Sequence, residues 1–335
     1  MSAQSKQAKS LMEKGEKYMV KKLLRKPNYD EASSAFNQAG KLYLELKDYA
    51  HAKEAFEKAG ICYDNDQVTG KSAQMFVEAA KAAFEIAEFS EIIRLLEEAK
   101  VRFLEKDQGT SAARVMRDFA QKIKAQDPQT AYTIYDSLLE VVENGNLYHW
   151  EKASFVDFAL LTAELGKDLK TICQNWDRAK NAFLSLKNEN EAAHCVASAI
   201  AYALKEGDIV LAERRYHESL QFDWFCRTED LNMIDMIIRG VKNHDGDLLE
   251  IGQRSYIMTF LKPEVAKILL GFKAPKKSEE IYPPGYIQPT QGPYIAPTPS
   301  APTNSSAPTN SSNTPDTQED APEDEKKEEE ENWML

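Results

Sequence analysis

Thr69-Gly70-Lys71-Ser72 has the closing half of a phosphate-binding loop, in which backbone amides cradle a phosphate and the lysine neutralises it. The opening glycine of that pattern belongs at position 65, which is Asn65, and no strand precedes it. The stretch is therefore expected to open a helix rather than hold a nucleotide. His217-Glu218-Ser219-Leu220-Gln221 has the first histidine and the glutamate of a zinc-protease helix, but Gln221 stands where the second metal ligand is required. His51, His149, His194 and His244 have no ligand-spaced companions, and no Gly-x-Ser-x-Gly elbow occurs. Cys62, Cys173, Cys195 and Cys226 lie far apart without a Cys-x-x-Cys pair, the usage of reduced, mostly buried thiols in a cytosolic protein. No catalytic residue, metal site or cofactor is expected, and the chain does not read as an enzyme.

Two other stretches carry surface chemistry. Met19-Val20-Lys21-Lys22-Leu23-Leu24-Arg25-Lys26-Pro27 mixes bulky apolar side chains with four cations. Met19, Val20, Leu23 and Leu24 are suited to insert at a membrane surface while the cations meet anionic headgroups. A packed helix with a solvated basic face fits the same residues, and both readings stand. At the other end, Glu328–Glu331 is followed by Asn332-Trp333-Met334-Leu335. Trp333, Met334 and Leu335 read as an apolar docking tip on an acidic tail; chance residues on a solvating tail are the alternative.

The net charge of −12 is unevenly placed. Ten acidic residues against two lysines fill Asp316–Leu335, whereas Met1–Pro27 carries eight Lys/Arg against two Glu. An acidic body argues against nucleic acid, whose phosphates demand many Lys and Arg. No stretch approaches 18 uncharged apolar residues, so no membrane span is expected, and the first residues lack the apolar core of a signal peptide.

The elements that must carry these residues announce themselves by repetition. Tyr29, Ala32, Ala35, Phe36, Ala39 and Gly40 return 20 positions later as Tyr49, Ala52, Ala55, Phe56, Ala59 and Gly60. The large/small pair continues as Phe76/Ala79 and Leu96/Ala99. Spacings of three and four put each set on one helical face, where a bump and a notch let neighbours interlock. One helix cannot bury such a stripe alone. A stack with about 40 residues per helix pair can, as in TPR-like arrays.

Punctuation places helices near 29–46, 49–63, 70–86, 90–106, 110–125, 128–143, 147–165, 168–186, 189–206 and 208–220. A first helix is expected over Gln4–Lys26, ended by Pro27. Asp48 and Ser90 are read as N-caps, and Asp127-Pro128 as a cap followed by proline at the first helical position. Ala131/Tyr135, Ala179/Phe183 and Ala212/Tyr216 keep the large/small pattern. Shorter helices near 228–242, 245–255 and 263–271, with Met233, Ile234, Ile237, Ile238, Val265, Ile268, Leu269 and Leu270, form a cap of the kind an open stack requires. The expected fold is all-α. A TPR-like right-handed superhelical array of antiparallel helix pairs spans 1–220 and a C-terminal helical cap 221–272. A disordered Pro/Ser/Thr-rich linker follows over 273–315, then an acidic, apolar-tipped tail over 316–335.

This order of features resembles the soluble NSF attachment protein (SNAP) family over roughly residues 4–272. Lys26-Pro27-Asn28-Tyr29-Asp30, Leu211-Ala212-Glu213-Arg214-Arg215-Tyr216 and Thr228-Glu229-Asp230-Leu231 look most like the gamma branch. The resemblance implies an adaptor that binds SNARE complexes and recruits and stimulates the hexameric ATPase NSF, which pulls them apart in vesicle trafficking. It implies SNARE contact at Arg114 and Lys152, membrane contact at Met19, Val20, Leu23 and Leu24, and a cytoplasmic, peripherally membrane-associated protein. The acidic tail is the departure, since a low-complexity linker separates it from the cap; ATPase docking is the role expected of Trp333, Met334 and Leu335. A generic TPR-type scaffold or co-chaperone is the alternative, but the clamp of Lys and Asn side chains it needs cannot be placed. An enzyme subunit built on a helical solenoid is a further one that no residue favours.

Overall fold

One small turn, used again and again, sets the architecture. After Glu45 the chain enters the left-handed region at Lys47 (φ 56°), and the Asp48 amide donates to the Tyr43 carbonyl at 2.9 Å. This is a Schellman closure, which satisfies the orphan carbonyls of the helix end and turns the chain back within three residues. The same geometry recurs at Gln67, Ala87 and Asp107, and again at Lys187 and Gly207. Side-chain caps then restart many of the helices. Asn28, Asp48, Asp168, Asn188 and Asp208 each accept a backbone amide three residues on, and Asp127 accepts two amides in front of Pro128.

The computed structural model of the chain describes residues 3–20 and 26–275. Leu23, Leu24, most of the linker, and the tail with Trp333, Met334 and Leu335 lie outside the described residues. All described residues belong to one compact unit. In order, the helices are α1 (Ala3–Met19), α2 (Tyr29–Glu45), α3 (Tyr49–Asn65), α4 (Thr69–Glu85), α5 (Phe89–Leu104), α6 (Gly109–Ile123), α7 (Pro128–Gly145) and α8 (Tyr148–Glu164). They continue as α9 (Leu169–Ser185), α10 (Glu189–Lys205), α11 (Ile209–Ser219), α12 (Asp223–Cys226), α13 (Asp230–Asn243), α14 (Gly246–Gln253), a 3-10 turn (Tyr256–Thr259) and α15 (Pro263–Gly271). The described residues contain no strand, so the fold is all-α, an array of helices that pack on their sequence neighbours and close on a C-terminal group of shorter helices.

The repeat residues are the core. Phe36, Phe56, Phe76 and Leu96 are all buried, each contributing about 1.5–3 kcal/mol by leaving water. The notch, however, is one residue beyond the alanine that the pattern singled out. Phe36 lies over Gly15 of α1, Phe56 over Gly40 of α2 and Phe76 over Gly60 of α3. A Cβ built on Gly15 or Gly40 would come to 2.7 Å of the ring, and one on Gly60 to 3.0 Å. In the fourth step both members change together, with Leu96 for the ring and the buried Ala80 for the glycine.

Three expectations need correction. The first helix ends at Met19 rather than Lys26, because the Asn28 amide, which opens α2, donates to the Tyr18 carbonyl at 2.9 Å and the chain must reverse before it. Ser90 is not a cap: α5 begins at Phe89, with Glu88 at the cap position and no side-chain bond. Leu270 is half exposed instead of packed with Val265 and Leu269, which are buried. The one-turn α12 and the 3-10 turn are too short to show a period.

The C-terminal helices are joined to the array by a buried pair. His194 Nδ1 of α10 lies 2.8 Å from Asp230 Oδ1 of α13, and the Phe260 ring stacks on the imidazole. Burial pushes the His194 pKa down, but the bond and charge of Asp230, with Glu191 behind them, outweigh it and leave the pKa raised.

Candidate docking surface

The residues first weighed for catalysis are used by the fold. Thr69–Ser72 opens α4, where the buried Ser72 hydroxyl donates to the Gly60 carbonyl at 2.9 Å and Lys71 lies over the Tyr63 ring. His217 and Glu218 sit in the last turn of α11. His51 caps onto Asp48 and stacks on Tyr43. Cys62, Cys173 and Cys195 are buried, and burial pushes the Cys62 thiol up to about 11; Cys226 is exposed. No three His, Cys, Asp or Glu among the described residues lie together as metal ligands would.

Arg114 and Lys152 lie on two helices that touch, α6 and α8. The starts of α6 and α8 lie side by side, since a Cβ on Gly109 would come to 3.2 Å of Leu147 Cδ1, at the residue that precedes α8. Arg114 follows Gly109, and Lys152 follows Leu147, by the same five residues. Both are exposed, and neither makes an ion pair with any described residue; the same holds for Lys122, two turns on from Arg114.

Near the start of α8 the two helices are tied by an ion pair. Arg117, one turn beyond Arg114, places Nη1 2.8 Å from Oε1 of Glu151, the residue before Lys152. Glu151 is only 3% exposed and also accepts from the Ser154 hydroxyl at 2.9 Å. Burial raises its pKa, opposed by the Ser154 bond and the Arg117 charge. At Glu151 the backbone leaves helical values (φ −123°, ψ 15°), so the first turn of α8 is set off by a kink. That turn exposes Trp150, 68% accessible, with His149 edge-on at 5.2 Å between ring centres.

Trp150, Arg117 and Glu151 were not singled out from the sequence. The stripe of α8, with Glu151, Ser154, Phe155, Phe158 and Thr162 buried, puts Trp150 off the core face, and this was the available signal. The Arg117–Glu151 pair spans 34 residues and leaves no local trace.

Hollows flank this surface. One of about 450 Å³ lies between α4 and α6, lined by Val77, Lys81, Phe84, Arg114, Phe119 and Lys122. Another of about 800 Å³ lies among α8, α10 and α15, with Leu160, Tyr202 and Phe272 on its walls and Lys124, Lys205 and Lys267 around them. Of the expected membrane contacts, Met19 is half-buried against the core at the end of α1 and Val20 is 58% exposed. No described helix is long and apolar enough to cross a membrane.

Helices stacked by a repeated notch define an all-α helical-repeat protein. The family model of the soluble NSF attachment proteins, SNAP, matches residues 6–249. A gamma-soluble NSF attachment protein of Dictyostelium discoideum is 23% identical over 277 residues, covering 81% of this chain and 84% of that one. The chain belongs to the soluble NSF attachment protein family. Membership gives it the general role of an attachment adaptor.

Proposed function

We propose that the chain docks SNARE complexes on the α6–α8 face and brings the NSF-type hexameric ATPase to them, stimulating disassembly in vesicle trafficking. The observation that carries this reading is that Arg114 and Lys152, on the touching helices α6 and α8, are exposed and unpaired among the described residues of a protein whose net charge is −12. Cations that no described carboxylate pairs with are available to acidic helices, and field complementarity of this kind sets both approach and register. Met19, Val20, Leu23 and Leu24 hold the protein peripherally at a membrane surface on its cytoplasmic side, aided by Lys21, Lys22, Arg25 and Lys26. Trp333, Met334 and Leu335 dock on the ATPase, with the preceding chain as a tether that raises the local concentration of the tip.

Arg114→Glu with Lys152→Glu is expected to weaken binding to a SNARE bundle at least tenfold, about 1.4 kcal/mol, while thermal unfolding stays unchanged. Binding is read by titration across salt. The difference from wild type should narrow toward 1 M, where the Debye length is about 3 Å. Wild-type affinity in the double variant would remove this face from the contact.

A further inference from the structure

Trp150 is a large apolar side chain that the fold does not use. At 68% exposure it contrasts with Trp176, which is 2% exposed in the core. A single exposed apolar residue needs no explanation by itself. This one is held in place, however. Leu147 wedges the start of α8 against Gly109, Tyr148 packs on Phe155 at 5.8 Å, and the Glu151 carboxylate is tied to Arg117 and Ser154. His149 sets its ring against the indole edge at an interplanar angle of 88°. The indole is thus presented outward from an anchored turn, and an anchored aromatic loses little freedom when a partner covers it.

The charges around it say what the partner is. Lys152 is two residues from Trp150, and neither it nor Arg114 on the adjoining α6 makes an ion pair with a described carboxylate, while Asp118 is engaged by Arg117 Nη2 at 3.1 Å. The chain as a whole is acidic, so an acidic partner is repelled at long range and accepted only where cations are left free. We infer that Trp150 is the apolar anchor of this face, packing on the apolar side chains of an acidic amphipathic helix whose carboxylates meet Arg114 and Lys152. The inference rests on the proposed reading of the α6–α8 face and adds the residue that gives it grip. Tryptophan is among the side chains most enriched at interface hot spots, where truncation has large effects.

The test is titration of a SNARE helical bundle with the full chain as wild type, Trp150→Ala, Trp150→Phe and Arg114→Glu/Lys152→Glu. Trp150→Ala should lower affinity about 30-fold, Trp150→Phe should restore most of it, and thermal unfolding of all three should match wild type. The loss in Trp150→Ala should persist in 1 M salt, where that of the charge variant fades. If the charge variant loses binding and Trp150→Ala does not, the anchor is overturned and the docking face stands. If wild type does not bind the bundle at all, the face and the anchor fall together. In a parallel arm, phosphatidylserine vesicles replace the bundle; loss of vesicle binding in Trp150→Ala with bundle binding unchanged would overturn the proposal in favour of a bilayer contact.

Discussion

Gly40→Ala should destabilise the protein by about 1 kcal/mol in the wild-type chain and stabilise it by a similar amount once Phe56 is Leu. Two effects compete. Alanine is the better helix former by about 1 kcal/mol. Against it, the new Cβ falls between 2.7 and 2.9 Å from three carbons of the Phe56 ring, which is 1% exposed and has nowhere to retreat, and overpacking of this kind costs about 1–3 kcal/mol. With the ring gone, only the propensity gain remains. Two steps along the array, Ala80 and Leu96 stand at the register positions of Gly40 and Phe56. Phe56→Ala is the severe limit, expected to cost about 3–5 kcal/mol through lost transfer energy and the cavity left behind. Urea unfolding at constant m-value reads all four variants. Additive effects of Gly40→Ala and Phe56→Leu would mean that ring and notch do not interlock.

Arg117→Ala should cost about 3 kcal/mol, the lower end for breaking a buried pair, since Arg117 itself is 29% exposed and water can partly replace it. What makes the loss large is the carboxylate left behind. Glu151 would stay in its buried site with only the Ser154 hydroxyl to hold it. Its pKa is already raised by burial, so the folded carboxyl takes up a proton at a pH where the unfolded one is still ionised. Removing the guanidinium raises it further, and the deficit of Arg117→Ala should shrink as the pH falls through that range. Glu151→Gln in the same background should recover most of the stability at neutral pH. A deficit that stays constant with pH would show that Arg117 acts by packing rather than by charge.

Much of the array was legible because its signals are local and repeated. Caps such as Asp48 and Asp127 and a stripe with fixed phase placed the helices from Tyr29 to Ser219 to within about two residues. The ends of α1 and α5 were harder for different reasons. Met19–Leu24 continues the apolar pattern of α1, and only the bond from the Asn28 amide to the Tyr18 carbonyl shows that the helix stops. Ser90 is a better cap by type than Glu88, but the Schellman turn at Ala87 fixes the cap position regardless. The partner of each phenylalanine was misassigned by one residue, since Ala39 and Gly40 are both small and only the packing distance separates them. At the docking face, Arg114 and Lys152 were named through family resemblance. Trp150 is marked in the sequence only by the phase of α8, which turns the indole away from the buried stripe.

Disassembly of liposome-anchored SNARE complexes by the ATPase, followed by loss of complex with time, is the most direct measurement of the adaptor role. No disassembly is expected without this chain, and rapid disassembly with it. Arg114→Glu/Lys152→Glu should slow the reaction on anchored and soluble complexes alike, and Leu23→Ser/Leu24→Ser on anchored complexes alone. Removing Trp333–Leu335 should leave SNARE binding intact and lower ATP hydrolysis by the assembled complex. Disassembly at the same rate with and without the wild-type chain would contradict the adaptor role itself.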